Sequence, residues 1–527
     1  MTAAHPTRPG AVLAVMCLAV FTVNVDTTIV NVTLPRLVAD LGASTRDLQW
    51  IVDSYLLVFA ALVLAGGSLS DRLGRRRTLV FGLVVFGLGN ALAAVCTTPG
   101  QLIAARAFTG IGAAAVFPTT LSILTQVFTE RAARAKAIGI WGASTGLAVA
   151  FGPITGGALL ERFWWGSTFL VKLPIALGAV VLVLALVPES RDPAAPRLDR
   201  WGLLLSAAGL GAVVYTIIEA PERGWLSAPT LVGFAAAVAL LAAFVRYEHR
   251  SAEPMLDVGL FADRRFTAAS LAITVAFFAL FGFIFLITQY FQFLRGYSPL
   301  ETGLRILPVA LCVAVGSIAG TLLVVRLGNK LVVTTGLLSL TFAYAWISTA
   351  SNATSYSEIA SQMVFLGLGM GLTSAPATES IMGAVQRDKA GIGSAVNDAT
   401  RELGGTLGVA VIGSDFASLY AARLQDLPPA VSGEAAQAAE ESVGAAFTLA
   451  GSLPASAGTA VRDAATTTGF FDGLQAGCLV AAGVALAGAG VAALALPARP
   501  STVATRSPSP LDRATTPTDR GSITDRS

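Results

Sequence analysis

Fourteen mostly apolar stretches, each long enough to cross a bilayer, leave this chain few ways to fold. They lie near 11–33, 49–69, 78–97, 101–125, 137–160, 168–188, 201–219, 230–246, 267–293, 302–325, 331–350, 358–381, 391–415 and 469–496. A bilayer core needs about 20 apolar residues per helix. With no water there to satisfy a bare backbone, each stretch reads as a spanning helix. Charged residues make up 13% of the 527, against about a quarter in soluble domains. An even count puts both termini on one side. Eighteen basic residues then fall on the side of Arg72–Arg77 and eight on the other, which makes the first side, and both termini, cytoplasmic. Residues 1–10 are polar and no small-residue cleavage site follows, so the first stretch reads as a retained span.

The rest of the composition narrows the function. A net charge of +3 does not suggest a nucleic-acid partner. Cys17, Cys96, Cys312 and Cys478 lie far apart in or beside apolar segments and read as small apolar fillers, not as a disulfide or metal framework. No Gly-x4-Gly-Lys-Ser/Thr or His-Glu-x2-His pattern occurs, and His5 and His249 lie outside the spans. Enzymatic and ATP-driven readings therefore lack support, and no cofactor is expected. Only four of the 35 basic residues are lysines, which together with abundant Ala and Gly suggests a GC-rich bacterial genome.

Between the second and third spans runs Gly66-Gly67-Ser68-Leu69-Ser70-Asp71-Arg72-Leu73-Gly74-Arg75-Arg76-Arg77. It resembles the signature loop of major facilitator superfamily transporters. Gly320 to Lys330, after the tenth span, reads as a worn copy that keeps Gly, Arg, Gly and Lys but not the acid. Four further stretches resemble the fourteen-span drug:proton antiporter branch of that superfamily. Span 1 ends in Val25-Asp26-Thr27-Thr28-Ile29-Val30-Asn31-Val32-Thr33-Leu34-Pro35, and span 4 opens with Arg106-Ala-Phe-Thr-Gly110-Ile-Gly112. Span 5 carries Gly142, Gly146, Gly152, Pro153, Gly156 and Gly157 in the spacing of the antiporter motif. Span 13 holds Gly393-Ser-Ala-Val-Asn397-Asp398-Ala-Thr-Arg401-Glu402-Leu-Gly404-Gly405. The resemblance covers residues 10–497. One position departs: Lys172 stands where the family usually has asparagine. Its placement near the end of span 6 suggests a lysine that snorkels to the outer interface.

The resemblance implies an all-α integral membrane protein with two pseudo-symmetric six-helix bundles, 1–190 and 266–497. An inserted helix pair with its linker occupies 191–265, a long extracellular loop 424–468, and a disordered cytoplasmic tail 498–527. Such repeats place the substrate site between them near the midplane. It further implies a monomeric, multi-pass exporter in a bacterial cytoplasmic membrane that expels drug-like, amphiphilic or cationic compounds in exchange for protons. Export of an endogenous metabolite, or nutrient facilitation or symport, are the alternatives.

Ionisable residues within spans are costly and usually functional. At helical rise Asp26 lies about 10 Å, and Arg106 about 7 Å, below the outer ends of their spans. Asp26, Asp53 and Arg106 are thus expected to cluster, with Asp26 as proton carrier and Asp53 as either a transport group or an interfacial cap. On span 13, Asp398 and Glu402 share a helix face, with Arg401 between them. Arg401 with Asp398 reads as a structural pair and Glu402 as a proton or cation contact, while Glu379 reads as a gate residue. Gly67, Asp71, Arg72, Gly74, Arg75 and Arg76 are expected to form the inside gate. By family analogy, the span 5 glycines meet span 10 at Gly316 and Gly320, and Gly404, Gly405 and Gly408 face span 2. Asn31, Phe281, Gln289, Gln292 and Asn397 are candidates for the substrate cavity.

Overall fold

The computed structural model of the chain describes residues 9–191, 199–251, 254, 256–384, 390–424 and 434–497. The expected tail 498–527, with Arg197, Arg387 and Lys389, lies outside these. Helices α1 (Pro9–Leu41), α2 (Thr45–Leu73), α3 (Arg75–Ala94), α4 (Pro99–Val127) and α5 (Arg131–Leu160) are followed by a single turn, α6 (Ser167–Leu170), and α7 (Lys172–Leu186). A pair follows, α8 (Arg200–Arg223) and α9 (Ala228–Glu248). Then come α10 (Arg264–Gln289), α11 (Pro299–Leu327), α12 (Asn329–Ile347), α13 (Tyr356–Ala384) and α14 (Ala390–Leu424). Three short helices, α15 (Glu434–Glu441), α16 (Val443–Ser452) and α17 (Ala455–Asp463), lead into α18 (Phe471–Ala495). Among the described residues there is no strand, and 13 helical segments are long and apolar enough to span a membrane. The fourteenth expected span falls in α5, whose described apolar stretch is the shorter Phe151–Leu160.

Local signals set the helix ends. Ser44 and Asp47 form a reciprocal capping box at the start of α2, as do Ser298 and Glu301 at α11. Thr98 caps α4 with Pro99 in its first turn, where the missing N–H is harmless. Gly74 (φ +113°) and Gly328 (φ +82°) each turn the chain in a single residue, from α2 into α3 and from α11 into α12. The two matching loops of the sequence thus share one backbone device. Pro174 has no N–H, and its ring would clash with the Leu170 carbonyl. Val171 itself keeps helical dihedrals (φ −59°, ψ −24°), so α6 runs on into α7, with Lys172 at the first position of α7.

Packing repeats along the chain. In the first set α2 and α3 pack on α4, and α1 on α5; in the second α11 and α12 pack on α13, and α10 on α14. The α8–α9 pair packs on itself and reaches α2 and α14 through α8. Small residues permit these approaches; span 5 does meet span 10 as expected, but through other residues, and the α14 glycines face another helix. Gly152 and Gly156 face Thr28 and Ile29 of α1, and a Cβ at Gly157 would lie 2.5 Å from the Leu300 Cα of α11. The α11 glycine that meets α5 is Gly303, against the Pro153 carbonyl, whereas Gly316 and Gly320 face α13. Gly404 and Gly408 press on the α10 backbone at Thr274 and Phe278, and Gly405 on the Phe281 ring. Gly142 has nothing within 4 Å of its would-be Cβ, and the surroundings of Gly146 lie outside what is described.

Substituting Gly157→Val should therefore wedge α5 from α11. Overpacking of this kind costs about 1–3 kcal/mol. Thermal unfolding of the detergent-solubilised protein should show the loss, and wild-type stability would mean the crossing has slack.

Candidate functional site

Three charged side chains meet inside the first seven helices. Asp26 is 0% exposed, and Arg106 and Lys172 are each 1% exposed. Arg106 Nη1 donates to Asp26 Oδ2 at 2.5 Å, and Lys172 Nζ donates to Asp26 Oδ1. Arg106 Nε also donates to the Ile51 carbonyl at 3.1 Å, and its guanidinium sits 4.3 Å above the Tyr55 ring. Lys172 Nζ lies 4.7 Å from the Phe169 ring centroid. Removing charges from water is expensive, and opposite charges in contact with well-made hydrogen bonds offset that cost.

Lys172 therefore does not snorkel. Its ammonium points to a carboxylate in the bundle interior. Asp53 stands apart from the expected cluster: it is 0% exposed, with neither carboxylate oxygen hydrogen-bonded. Two residues before Tyr55, it lies on a different face of α2.

The second charged set lies on α14. Asp398 is buried and paired with Arg401 at 3.9 Å, and it accepts from Asn397 Nδ2 at 3.3 Å. Asn397 Oδ1 accepts from Thr378 of α13 at 2.9 Å. Arg401 stacks 4.6 Å over Phe277, which stacks in turn on Phe281 with centroids 6.3 Å apart. Glu402 Oε2 is buried with no hydrogen-bond partner. Tyr55 belongs to the first set, its ring under the Arg106 guanidinium. Its hydroxyl donates to the Val23 carbonyl at 3.4 Å. Sequence reasoning missed Tyr55, because nothing local marks a tyrosine that faces another helix.

At the far end of α2, Arg75 clamps Asp71 through Nη2 at 2.7 Å and Nε at 2.9 Å, and Ser122 of α4 donates to the same oxygen at 3.2 Å. Glu189, beyond α7, pairs with Arg77 at 3.6 Å and Arg76 at 3.9 Å. Gly74 leaves room for it: a Cβ there would lie 2.6 Å from Glu189 Oε1. Arg72 is exposed and Gly67 meets only Pro118. Every partner of this loop among the described residues lies within α2–α7 or the segment after α7, so it clasps one bundle and does not bridge two. Glu379 is exposed near the end of α13.

The bundles join at the opposite end. Gln49 of α2 donates to the Ala410 carbonyl and Ser414 Oγ of α14, both at 3.1 Å. Gln292 donates to the Val32 carbonyl at 3.0 Å, and Ser298 to Glu161 at 2.7 Å. Among the described residues, all direct hydrogen bonds from α1–α7 and their loops to α10–α18 lie at this end. Of the expected cavity residues, Gln292 is thus part of the seam, and Asn397 binds α13. Gln289 bonds its own helix at the Phe285 carbonyl, and Asn31 Oδ1 is buried without a partner.

Residues 16–409 match the sequence pattern of the Major Facilitator Superfamily. The chain belongs to this superfamily. It is 38% identical to the multidrug efflux pump LfrA of Mycolicibacterium smegmatis, over 94% of this chain and 97% of that one. It is 37% identical to the multidrug resistance protein Stp of Mycobacterium tuberculosis, over 77% of this chain and 76% of the other. A solved bacterial homologue of the human lysosomal transporter Spinster, in an inward-facing and occupied conformation, shares the fold. Its TM-score is 0.62 at 18% identity, covering 94% of this chain and 97% of that one. As a superfamily member with this many apolar helices, the protein is a multi-pass membrane transporter.

Replacing Asp26 by Asn would leave Arg106 and Lys172 facing each other with no counter-charge. Breaking a buried pair in this way costs about 3–5 kcal/mol. The Asp26→Asn protein should unfold at markedly lower temperature in detergent, and an unchanged melting curve would show that the carboxylate bears no such load.

Proposed function

We propose that this protein is a proton-coupled secondary exporter of drug-like, amphiphilic or cationic compounds, working by alternating access. One observation carries the reading: charged groups buried in lipid-spanning helices stand in both bundles, Asp26, Arg106 and Lys172 in the first and Asp398 with the Glu402 carboxylate in the second. Ionisable groups at such depth are costly and mark ion pathways. The multidrug names of the similar proteins support the same class of cargo.

In this reading the protein sits as a monomer in a bacterial cytoplasmic membrane with both termini inside. Residues 1–190 and 266–497 are the rocking bundles, with 191–265 the inserted pair. The Asp71–Arg77 loop faces the cytoplasm, so the seam through Gln49, Gln292 and Ser298 closes the outer side. Protons supply the drive and no cofactor is needed. Glu402 suits a proton or cation contact because one of its oxygens has no partner to lose. Asp398 and Arg401 hold α14 in register, and unpartnered Asp53 is a second protonatable group. Asp71, held by Arg75 and Ser122, fixes the cytoplasmic ends of α2, α3 and α4, whose movement the cycle requires.

Dye accumulation in a pump-deficient host, with and without a proton gradient, tests the proposal. Gradient-dependent exclusion is expected, and gradient-independent equilibration would refute it. Asp71→Asn should insert normally yet transport about tenfold more slowly, because the cytoplasmic ends of α2, α3 and α4 would no longer move as one body; a rate difference of that size corresponds to roughly 1.4 kcal/mol. Glu402→Gln should lose uphill export while the protein still reaches the membrane.

A further inference from the structure

The cluster around Asp26 holds two cations and one anion, which leaves a full positive charge sealed from water. No neighbouring element offsets it. On α1 the other ionisable groups beyond Asp26, Arg36 and Asp40, are exposed and about 15 Å or more along the helix. Packed against α7, α3 has no ionisable residue after Arg77, and α6 reads Ser-Thr-Phe-Leu. On α2, Tyr55 is a neutral phenol and Asp53 makes no bond to the cluster. On α4, Arg106 is the only ionisable residue, and its Nη2 is buried without a partner. Glu402 of α14 belongs to the other bundle, and its buried Oε2 has no partner.

Each member can answer that excess in only one way. Arg106 does not release its proton in a protein. Protonating Asp26 would raise the excess from one positive charge to two in a low dielectric. Loss of a proton from Lys172 leaves a one-to-one Asp26–Arg106 pair and no net charge. Lysine also yields its proton readily on burial, which is how lysines come to serve as bases.

We propose that Lys172 is the residue of the first bundle that releases and recaptures the transported proton, and that Asp26 remains ionised as its fixed anchor. This rests on the proton-coupled reading above. In the step, one Nζ–H bond breaks, its electron pair stays on nitrogen as a neutral amine, and the proton passes to water admitted when the bundles part. A cationic substrate arriving at the interface adds positive charge beside the cluster and favours that release. Return of a proton to Nζ from the other side restores the cluster and disfavours the cation. Exchange of one cation for one proton follows from charge balance at a single lysine.

The test uses the full-length protein in proteoliposomes, with rhodamine 6G as the probe and an imposed pH gradient. Lys172→Arg keeps the cation but holds its proton, and Lys172→Met keeps the length without a charge. Both variants should lose gradient-driven accumulation about tenfold more than they lose dye-for-dye counterflow at equal pH. Dye-induced proton release from the solubilised protein should fall by roughly one proton per molecule. Wild-type pumping and proton release by Lys172→Arg would overturn the proposal, since a permanent cation would then suffice, and would leave the exporter reading intact. Loss of counterflow in step with pumping in both variants would also overturn it, making Lys172 a packing residue. A wild-type protein indifferent to the gradient would remove both readings together.

Discussion

A single carboxylate inside the first bundle is gripped at both oxygens, by an arginine from α4 and a lysine from the start of α7. The placement of α1 depends on that grip. Every residue of α1 from Val25 to Pro35 is buried, so the helix has no exposed polar face to orient it. What orients it is the requirement that Asp26 meet Arg106 and Lys172. Tyr55 gains a position from the same arrangement, its ring under the guanidinium and its hydroxyl on α1.

Around this anchor the helices approach so closely that side chains give way to glycine. Where Gly157 and Gly303 let α5 and α11 touch, the contact joins the two bundles. Where Gly316 and Gly371 meet, or Gly404 and Thr274, it stiffens the second bundle from within. The difference matters for a machine that rocks. Tight contacts inside a bundle make a rigid body, while the seam between bundles must release. The polar contacts of that seam are few: Gln49 on α14, Gln292 on α1, Ser298 on Glu161. They gather at the end away from the Asp71–Arg77 clasp.

The clasp and its worn counterpart show how a repeat drifts. Gly74 and Gly328 make the same one-residue turn in the two halves, because a helix reversal so short demands a positive φ that glycine adopts at little cost. The acid and the Arg75–Arg77 run survive only in the first, where Glu189 from beyond α7 completes the network.

The sequence by itself determined a great deal here. Apolar length sets the helices, since an unpaired backbone is intolerable in lipid. Gly, Pro and capping serines set their ends, and the family motifs pointed to Asp26, Arg106, Asp398 and Glu402. These signals are local, carried by residues a few positions apart. What the tertiary structure decided is which distant residues meet. A lysine near the end of a span looks like one that reaches for water; the position of Asp26, 146 residues away in sequence, turns it inward instead. Asp53, two positions from Tyr55, fell outside the cluster because that step moves a side chain well around the helix. Gln292 turned to the Val32 carbonyl from a π-helical turn, Tyr290–Leu294, that no local pattern announced. A glycine face is visible in a sequence, but the helix it presses against is chosen by the packing of all the others.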